Sequence, residues 1–236
     1  MLPPLIVPMF VQPTSFAHHE NIVIPAYVTA VSESPVVIPD VPFFSQFADI
    51  TPARWKKVGC GIASLAMIIE YYKTNTVSVD TLLNEGIASG AYNHDAGWIH
   101  QGLINLSHTY GLDGHSYDLS GVDQATAWSE LRDNLEGGPV IASVHYKFDP
   151  KNPIPHLVVI AGVDHGIVYY NDPAGSASEK QISSKQFLLA WKKKIIVIRP
   201  TEVRPSALAL SLWYPTIHDP FANKFSVEPW NKWSPS

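Results

Sequence analysis

The sequence has a single cysteine, Cys60, and few charged residues. One cysteine excludes an internal disulfide and argues against a zinc site built from several thiolates. Charged residues are 16% of the chain and the formal net charge is -5, without a long basic run, so a surface that neutralises nucleic-acid phosphates is not expected. Apolar residues make up 46%, but no unbroken apolar stretch is long enough to cross a bilayer. We therefore expect a globular protein that binds no nucleic acid and has no stable membrane span.

The sequence also lacks the short motifs of several enzyme classes. It has no G-x-S-x-G nucleophile elbow, no phosphate-binding P-loop and no G-x-G-x-x-G dinucleotide fingerprint. The absence of H-E-x-x-H argues against a metallopeptidase, and we expect neither a metal nor a cofactor. A metal site stays as an alternative, because several side chains of ligand type cluster in the sequence: His94, Asp95, His100, His108 and His115.

Three segments of the chain differ in composition. Residues 1–40 are rich in Pro, Val and Ile and are interpreted as a leader, as extra edge strands, or as a propeptide lying along a peptide groove. The first 17 residues resemble a signal peptide without its basic start, which favours a secreted or extracytoplasmic location. Residues 41–200 carry ordered helix and strand patterns, and residues 201–236 form a tail rich in Trp and Pro. We expect one main domain, over residues 41–200.

Within that domain, helix patterns precede most of the strand patterns. The predicted helices are Gly61–Tyr72, Val79–Ala88, Trp98–Tyr110 and Asp123–Leu135, and the predicted strands begin at Pro139, His156, Gly166 and Lys194. This order is typical of an α+β fold with a helical N-terminal half and an antiparallel C-terminal sheet.

Cys60 stands at the start of the first predicted helix. Unpaired backbone N–H groups and the positive end of the helix dipole stabilise negative charge there, which suits a reactive thiolate. A lone cysteine is otherwise most often a small buried hydrophobic residue, so its neighbours have to decide between the two roles.

His156 opens a strand, and Asp172 follows the next strand, after a chain reversal at GVDHG. Antiparallel pairing would bring the two side chains together, giving a general base and the group that orients it. Upstream, Gln46 could join the Cys60 backbone N–H in stabilising an oxyanion. Each residue alone also has a structural explanation, but their order along the chain predicts a Cys-His-Asp hydrolase.

These residues lie in segments that resemble a known family: VPFFSQF, VGCGIASLAMIIEYY, GWIHQGLINLSHTYGL, HLVVIAGVD and YYNDPA. Over roughly residues 42–198 they are similar to the papain-like cysteine peptidases of family thirty-nine, relatives of the bacteriocin-processing peptidases. The resemblance implies a papain-like fold, with Gln46, Cys60, His156 and Asp172 in the oxyanion, nucleophile, base and orienting roles. It also implies that Trp98 and His100 contact substrate on the cleft wall. One departure from papain is the insertion TPARWKKV between Gln46 and Cys60.

We therefore expect a peptidase or amidohydrolase whose substrate is a peptide or protein. Peptide bonds of a secreted protein, a leader peptide and a cell-wall peptide crosslink all remain open as substrates. Two other functions also remain open: an inactive papain-like module that binds peptides, and an acyl transferase of the transglutaminase type that uses the same nucleophile.

Overall fold

The computed structural model describes residues 38–201, which form six α-helices and eight β-strands in that range. The helices are Ala53–Lys56 (α1), Cys60–Tyr72 (α2), Val79–Ala88 (α3), His100–Ser107 (α4), Gln124–Leu135 (α5) and Ser184–Ala190 (α6). The strands are Tyr92–Asn93 (β1), Gly97–Trp98 (β2), Leu112–Asp118 (β3), Val140–His145 (β4), Pro155–Asp164 (β5), Ile167–Asn171 (β6), Lys180–Ser183 (β7) and Trp191–Pro200 (β8). The predicted leader and tail fall outside the described residues, apart from 38–40 and 201.

Six strands form one antiparallel sheet in the order β3-β8-β4-β5-β6-β7. The turn between β5 and β6 contains His165 and Gly166, whose φ angles are 45° and 78°. Two successive positive φ angles are typical of a type I′ turn, whose twist matches that of the paired strands. The hairpin returns the chain to the start of β5, so the residues that follow β6 lie near His156.

Each face of the sheet is covered by helices. Helix α2 packs on one face, and nine of its thirteen residues are buried, which is the pattern of a central helix rather than a surface one. Helices α5 and α6 cover the other face, where Phe187 and Trp191 stack with ring centroids 5.7 Å apart. The α+β architecture predicted from the sequence is confirmed.

Helix α4 is shorter than the predicted helix over Trp98–Tyr110. Gly97 and Trp98 pair with β1 in a small hairpin, so the helix begins only at His100. Its predicted end, from His108 to Tyr110, forms a 3-10 turn that stops at Gly111 with φ 70°. No helix in the described range is long and apolar enough to span a membrane.

Four strands and two helices of the structure were not predicted, namely β1, β2, β3, β7, α1 and α6. Strands β3 and β7 are the two edges of the sheet, and their mixed polar sequences give no period of buried residues. Helix α6 has seven residues and is capped by the Ser183 side chain, which accepts a hydrogen bond from the Gln186 N–H. Its seven residues are fewer than the 11 to 18 over which helical periodicity is read.

Candidate active site

Cys60 is the first residue of α2, and glycines flank it on both sides. A Cβ atom at position 59 would lie 2.2 Å from Ile50 Cδ1 and 3.4 Å from Gln46 Cβ, so only glycine fits. A Cβ atom at position 61 would lie 2.5 Å from Cγ of Trp98. Close packing therefore fixes the backbone at the helix start, while the half-buried Cys60 lines an open cleft.

His156, the second residue of β5, is hydrogen-bonded to Asp172. Its Nε2 atom lies 2.7 Å from Oδ1 of Asp172, and the two side chains are only 4% and 13% exposed. Because Nε2 is used by Asp172, Nδ1 is the ring nitrogen left for Cys60, with which the imidazole also interacts. The structure thus brings the predicted nucleophile, base and orienting group into one chain of contacts.

The electrostatics of this chain favour a charged imidazole. Burial lowers the pKa of His156, but hydrogen bonding and charge from Asp172 and Cys60 outweigh it and raise the pKa to about 9. Burial also raises the pKa of Asp172, but its interactions with His156, the Ala174 N–H and Lys180 hold it below its ordinary value. At neutral pH the His156 ring is therefore an imidazolium facing an ionised carboxylate.

The turn that carries Asp172 also holds the Gln46 segment. The Ala174 N–H donates to Oδ1 of Asp172 at 2.8 Å, which fixes the carboxylate. The Gln46 N–H donates to the Pro173 carbonyl at 2.8 Å, and the Ser45 hydroxyl donates to the Gly175 carbonyl at 3.0 Å. One turn thus sets the position of both the orienting carboxylate and the predicted oxyanion donor.

Gln46 lies in the cleft beside Cys60 and is 2% exposed. Its Nε2 donates to the Lys56 carbonyl at 2.7 Å, whereas its Oε1 is buried with no hydrogen-bond partner among the described residues. Exchanging the amide atoms would set two oxygens against each other, so the nitrogen faces Lys56. The insertion before Cys60 forms α1 and folds back on this segment, where the Lys56 ammonium donates to the Phe47 carbonyl at 2.7 Å.

The cleft has a volume of about 500 Å³. Trp98 and His100, both predicted to contact substrate, line it. Trp98 is only 6% exposed, donates from Nε1 to the Val58 carbonyl at 2.6 Å and packs on Gly61, so it chiefly holds the approach to α2. The Nε2 atom of His100 lies 3.2 Å from the Ser143 hydroxyl.

Several further cleft residues were not predicted, among them Tyr146, Ser143, Phe47 and Ile154. Tyr146 packs edge-on against His156 with ring centroids 5.2 Å apart and covers the base. Ser143 lies on β4, and Phe47 and Ile154 leave apolar surface exposed in the cleft lining. Ser143 and Tyr146 have no local sequence signal, because they reach the cleft through the pairing of β4 with β5 and the turn that follows β4. Phe47 and Ile154 stand within two residues of the predicted Gln46 and His156 in the sequence.

The side chains that suggested a metal site do not form one ligand cluster in the described part of the chain. His108 pairs with Asp113 at 2.9 Å, and His100 contacts Ser143. Among residues 38–201 no three His, Cys, Asp or Glu side chains are grouped as metal ligands would be.

Residues 38–194, about two thirds of the chain, match the sequence profile of the Peptidase_C39 like family. The chain belongs to this family. Its members are cysteine peptidases, and the resemblance inferred from the sequence is thereby confirmed. No curated protein matches the chain.

Three solved structures are similar to this chain. A C39-like peptidase from Bacillus anthracis is 22% identical, covers 70% of this chain and 98% of its own, and superposes with a TM-score of 0.51. A double glycine motif protease from an AMS/PCAT transporter, solved with a leader peptide, is 24% identical over 68% of this chain and 92% of its own, with a TM-score of 0.48. The peptidase domain of Streptococcus ComA is 21% identical over 61% and 93%, also with a TM-score of 0.48. The family match and the Bacillus anthracis structure together establish the papain-like fold for this chain.

Proposed function

We propose that the protein is a cysteine peptidase that hydrolyses amide bonds of peptides through a Cys60-His156-Asp172 triad. The observation that carries this proposal is the chain of contacts from Asp172 through His156 to Cys60 at the wall of one cleft. A carboxylate, an imidazole and a thiol at a helix start are the parts that nucleophilic acyl transfer needs. No cofactor takes part in this chemistry.

The reaction begins with a thiolate–imidazolium pair. The Cys60 sulfur attacks the substrate carbonyl carbon and forms a tetrahedral oxyanion. As the C–N bond breaks, the His156 imidazolium gives its proton to the leaving amine, and a thioester remains on Cys60. His156, now neutral, accepts a proton from water; the hydroxide attacks the thioester, and the acid product leaves as the thiolate–imidazolium pair is restored.

Gln46 and the Cys60 backbone N–H supply the oxyanion donors in this proposal. One amide hydrogen of Gln46 is bound by the Lys56 carbonyl, and the second would be donated to the substrate oxygen. Holding the donor in place before the reaction lowers the cost of stabilising the developing charge. The insertion TPARWKKV thus supports the oxyanion donor through its Lys56 carbonyl.

The substrate we propose is a peptide bound in extended form along the cleft. Trp98 and His100 form part of its wall, and the exposed apolar side chains of Phe47 and Ile154 suit the side chains of a peptide. Exposed apolar surface that lines a cleft is typical of a binding site.

The first test is the alkylation of Cys60 by iodoacetamide between pH 5 and pH 10. A free cysteine with a pKa of about 8.5 is only about 0.3% thiolate at pH 6. We expect Cys60 to react at pH 6 at least tenfold faster than free cysteine, and His156→Ala to remove that advantage while circular dichroism shows an intact fold. Slow labelling at pH 6 that His156→Ala leaves unchanged would contradict the triad.

A second test separates hydrolysis from acyl transfer. A peptide library digested with the wild type should yield new carboxyl termini that are absent with Cys60→Ala. Added glycinamide should leave those termini mostly free if water is the acyl acceptor. Products capped by glycinamide would instead identify an acyl transferase with the same nucleophile.

A further inference from the structure

A polar pair, His100 and Ser143, lies in the cleft wall and takes no part in the proposed reaction. His100 Nε2 and Ser143 Oγ are 3.2 Å apart, and both residues line the same cleft as Cys60. Ser143 is 7% exposed. A hydroxyl so deeply buried and in contact with an imidazole costs free energy unless its hydrogen bonds are satisfied.

The fold itself does not require polar residues at this position. The partner of Ser143 across the β4–β5 ladder is Leu157, a member of the core beneath α2. Ile141, two residues earlier on β4, belongs to the same core. An alanine or valine at position 143 would continue this apolar face with no polar group to satisfy.

The sheet is irregular where Ser143 stands. Ser143 pairs with Lys194 of β8, but the next residue, Val144, pairs with Trp191. Lys192 and Lys193 are therefore bulged out, and Lys193 has a φ of 54°. Bulges beside functional sites re-aim side chains at the expense of regular pairing. The irregularity of the ladder and the polar pair thus coincide at one place in the cleft.

The free hydrogen-bonding groups of this pair define what it can bind. If His100 Nε2 donates to Ser143, the hydroxyl proton and Nδ1 are left as one donor and one acceptor. If the Ser143 hydroxyl donates instead, the Nδ1 proton and the hydroxyl oxygen are left in the same two roles. Burial and the charge of Lys194 outweigh Asp118 and lower the pKa of His100, so the ring stays neutral and both arrangements remain accessible.

We infer that His100 and Ser143 form a specificity site for an uncharged side chain that both donates and accepts hydrogen bonds, best matched by the amide of Gln or Asn. The inference rests on the proposed function, since it places a peptide in the same cleft. Leu has a similar size but leaves the pair without partners, and Glu is an acceptor only. A site built to bond a polar group discriminates against analogues that lack it.

The expected discrimination follows from two neutral hydrogen bonds. Each contributes a factor of about 2 to 12 in affinity, so Gln should bind about 4- to 150-fold more tightly than Leu at the position that meets the pair. His100→Phe keeps the ring shape but removes both ring nitrogens, and should bring the ratio to within about threefold. Ser143→Ala removes only the hydroxyl and should lower the ratio in part.

The experiment is a binding scan on the full chain carrying Cys60→Ala, so that peptides stay intact. Acetylated, amidated hexa-alanine peptides carry Gln, Leu or Glu at one position each, and dissociation constants come from NMR titration. The scan is repeated after adding His100→Phe, Ser143→Ala or, as a control, His115→Phe. His115 is an exposed histidine on β3 outside the cleft lining, and its loss should leave the ratios unchanged.

A Gln preference at one position that His100→Phe abolishes and His115→Phe preserves would support the inference. It is overturned if no position prefers Gln, or if the preference survives both His100→Phe and Ser143→Ala. Activity is scored separately, with the wild type on the same peptides. Selective binding without hydrolysis would refute the peptidase function alone, and hydrolysis without a Gln preference would refute the specificity site alone.

Discussion

The pair formed by Asp172 and His156 allows a substitution that removes a charge and little else. Both hydrogen bonds recorded for the carboxylate, from His156 Nε2 at 2.7 Å and from the Ala174 N–H at 2.8 Å, use the same oxygen, Oδ1. In Asp172→Asn an amide oxygen at that place keeps both contacts. The imidazolium then loses only its negative partner.

The size of the effect follows from the difference between charged and neutral hydrogen bonds. Bonds to charged groups contribute about 1.5–3 kcal/mol and neutral ones about 0.5–1.5, so the loss is about 1–2 kcal/mol. At 1.36 kcal/mol per unit, the pKa of His156 should fall from about 9 by about one unit. The thiolate–imidazolium pair should become about 5- to 30-fold less populated relative to the neutral pair.

The assay is the rate of Cys60 alkylation against pH, which is unambiguous because the chain has no other cysteine. We expect Asp172→Asn to slow labelling at pH 6 by about 5- to 30-fold and to approach the wild-type rate above pH 9. The matched control is Asp113→Asn, which alters an exposed Asp–His pair outside the cleft lining and should leave the profile unchanged. Superimposable profiles for Asp172→Asn and the wild type would refute the proposed coupling.

Three further predictions concern the oxyanion donor, the buried base and the helix start. Gln46→Leu should lower the rate of peptide hydrolysis about 100- to 1000-fold. The rate of Cys60 labelling by iodoacetamide should stay within about threefold of the wild type, because alkylation forms no oxyanion. An equal loss of rate in both assays would argue against Gln46 as an oxyanion donor. The folded-state pKa of His156 lies above its unfolded value, so its stabilisation is complete below about pH 6.5 and disappears as the pH rises through about 9. Urea titrations of the wild type and His156→Phe should show the wild type losing up to about 3 kcal/mol of unfolding free energy, relative to the variant, between about pH 6.5 and about pH 9. A difference in unfolding free energy between the two proteins that does not change with pH would contradict the raised pKa of His156. Gly61→Ala drives a methyl group into Trp98 and should destabilise the protein by about 1–3 kcal/mol in thermal melts. The control Gly121→Ala places its methyl group in open space and should change the stability by less than about 0.5 kcal/mol. Equal effects of the two substitutions would contradict the packing argument.

Local signals in the sequence predicted the parts of the site that depend on neighbouring residues. The dense apolar run of helix α2 predicted a helix that begins at Gly61, one residue after its observed start at Cys60. The turn at His165 and Gly166 predicted the reversal between β5 and β6, and hence the meeting of His156 with Asp172. Their interaction also depends on the register of the two strands, which shifts between Ile160 and Gly162.

Features that depend on distant segments could not be predicted in this way. The polar edge strands β3 and β7 become strands only because β8 and β6 offer unpaired edges. The packing of Trp98 on Gly61 and its bond to Val58 need two distant segments in place. Ser143 and Tyr146 reach the cleft through pairing across the sheet and the turn after β4, which no local pattern encodes.

Strand β5 belongs to both cores of the domain. Leu157, Val159 and Ala161 face the core beneath α2, while Val158 and Ile160 face the core beneath α5. Amide protons along this strand should therefore exchange with solvent only when the whole domain unfolds. The hairpin β1–β2, with two residues in each strand, has no comparable anchorage in the large sheet. Opening of the cleft should thus leave the strand that holds His156 fixed, and Trp98 ties the hairpin to the core beneath α2.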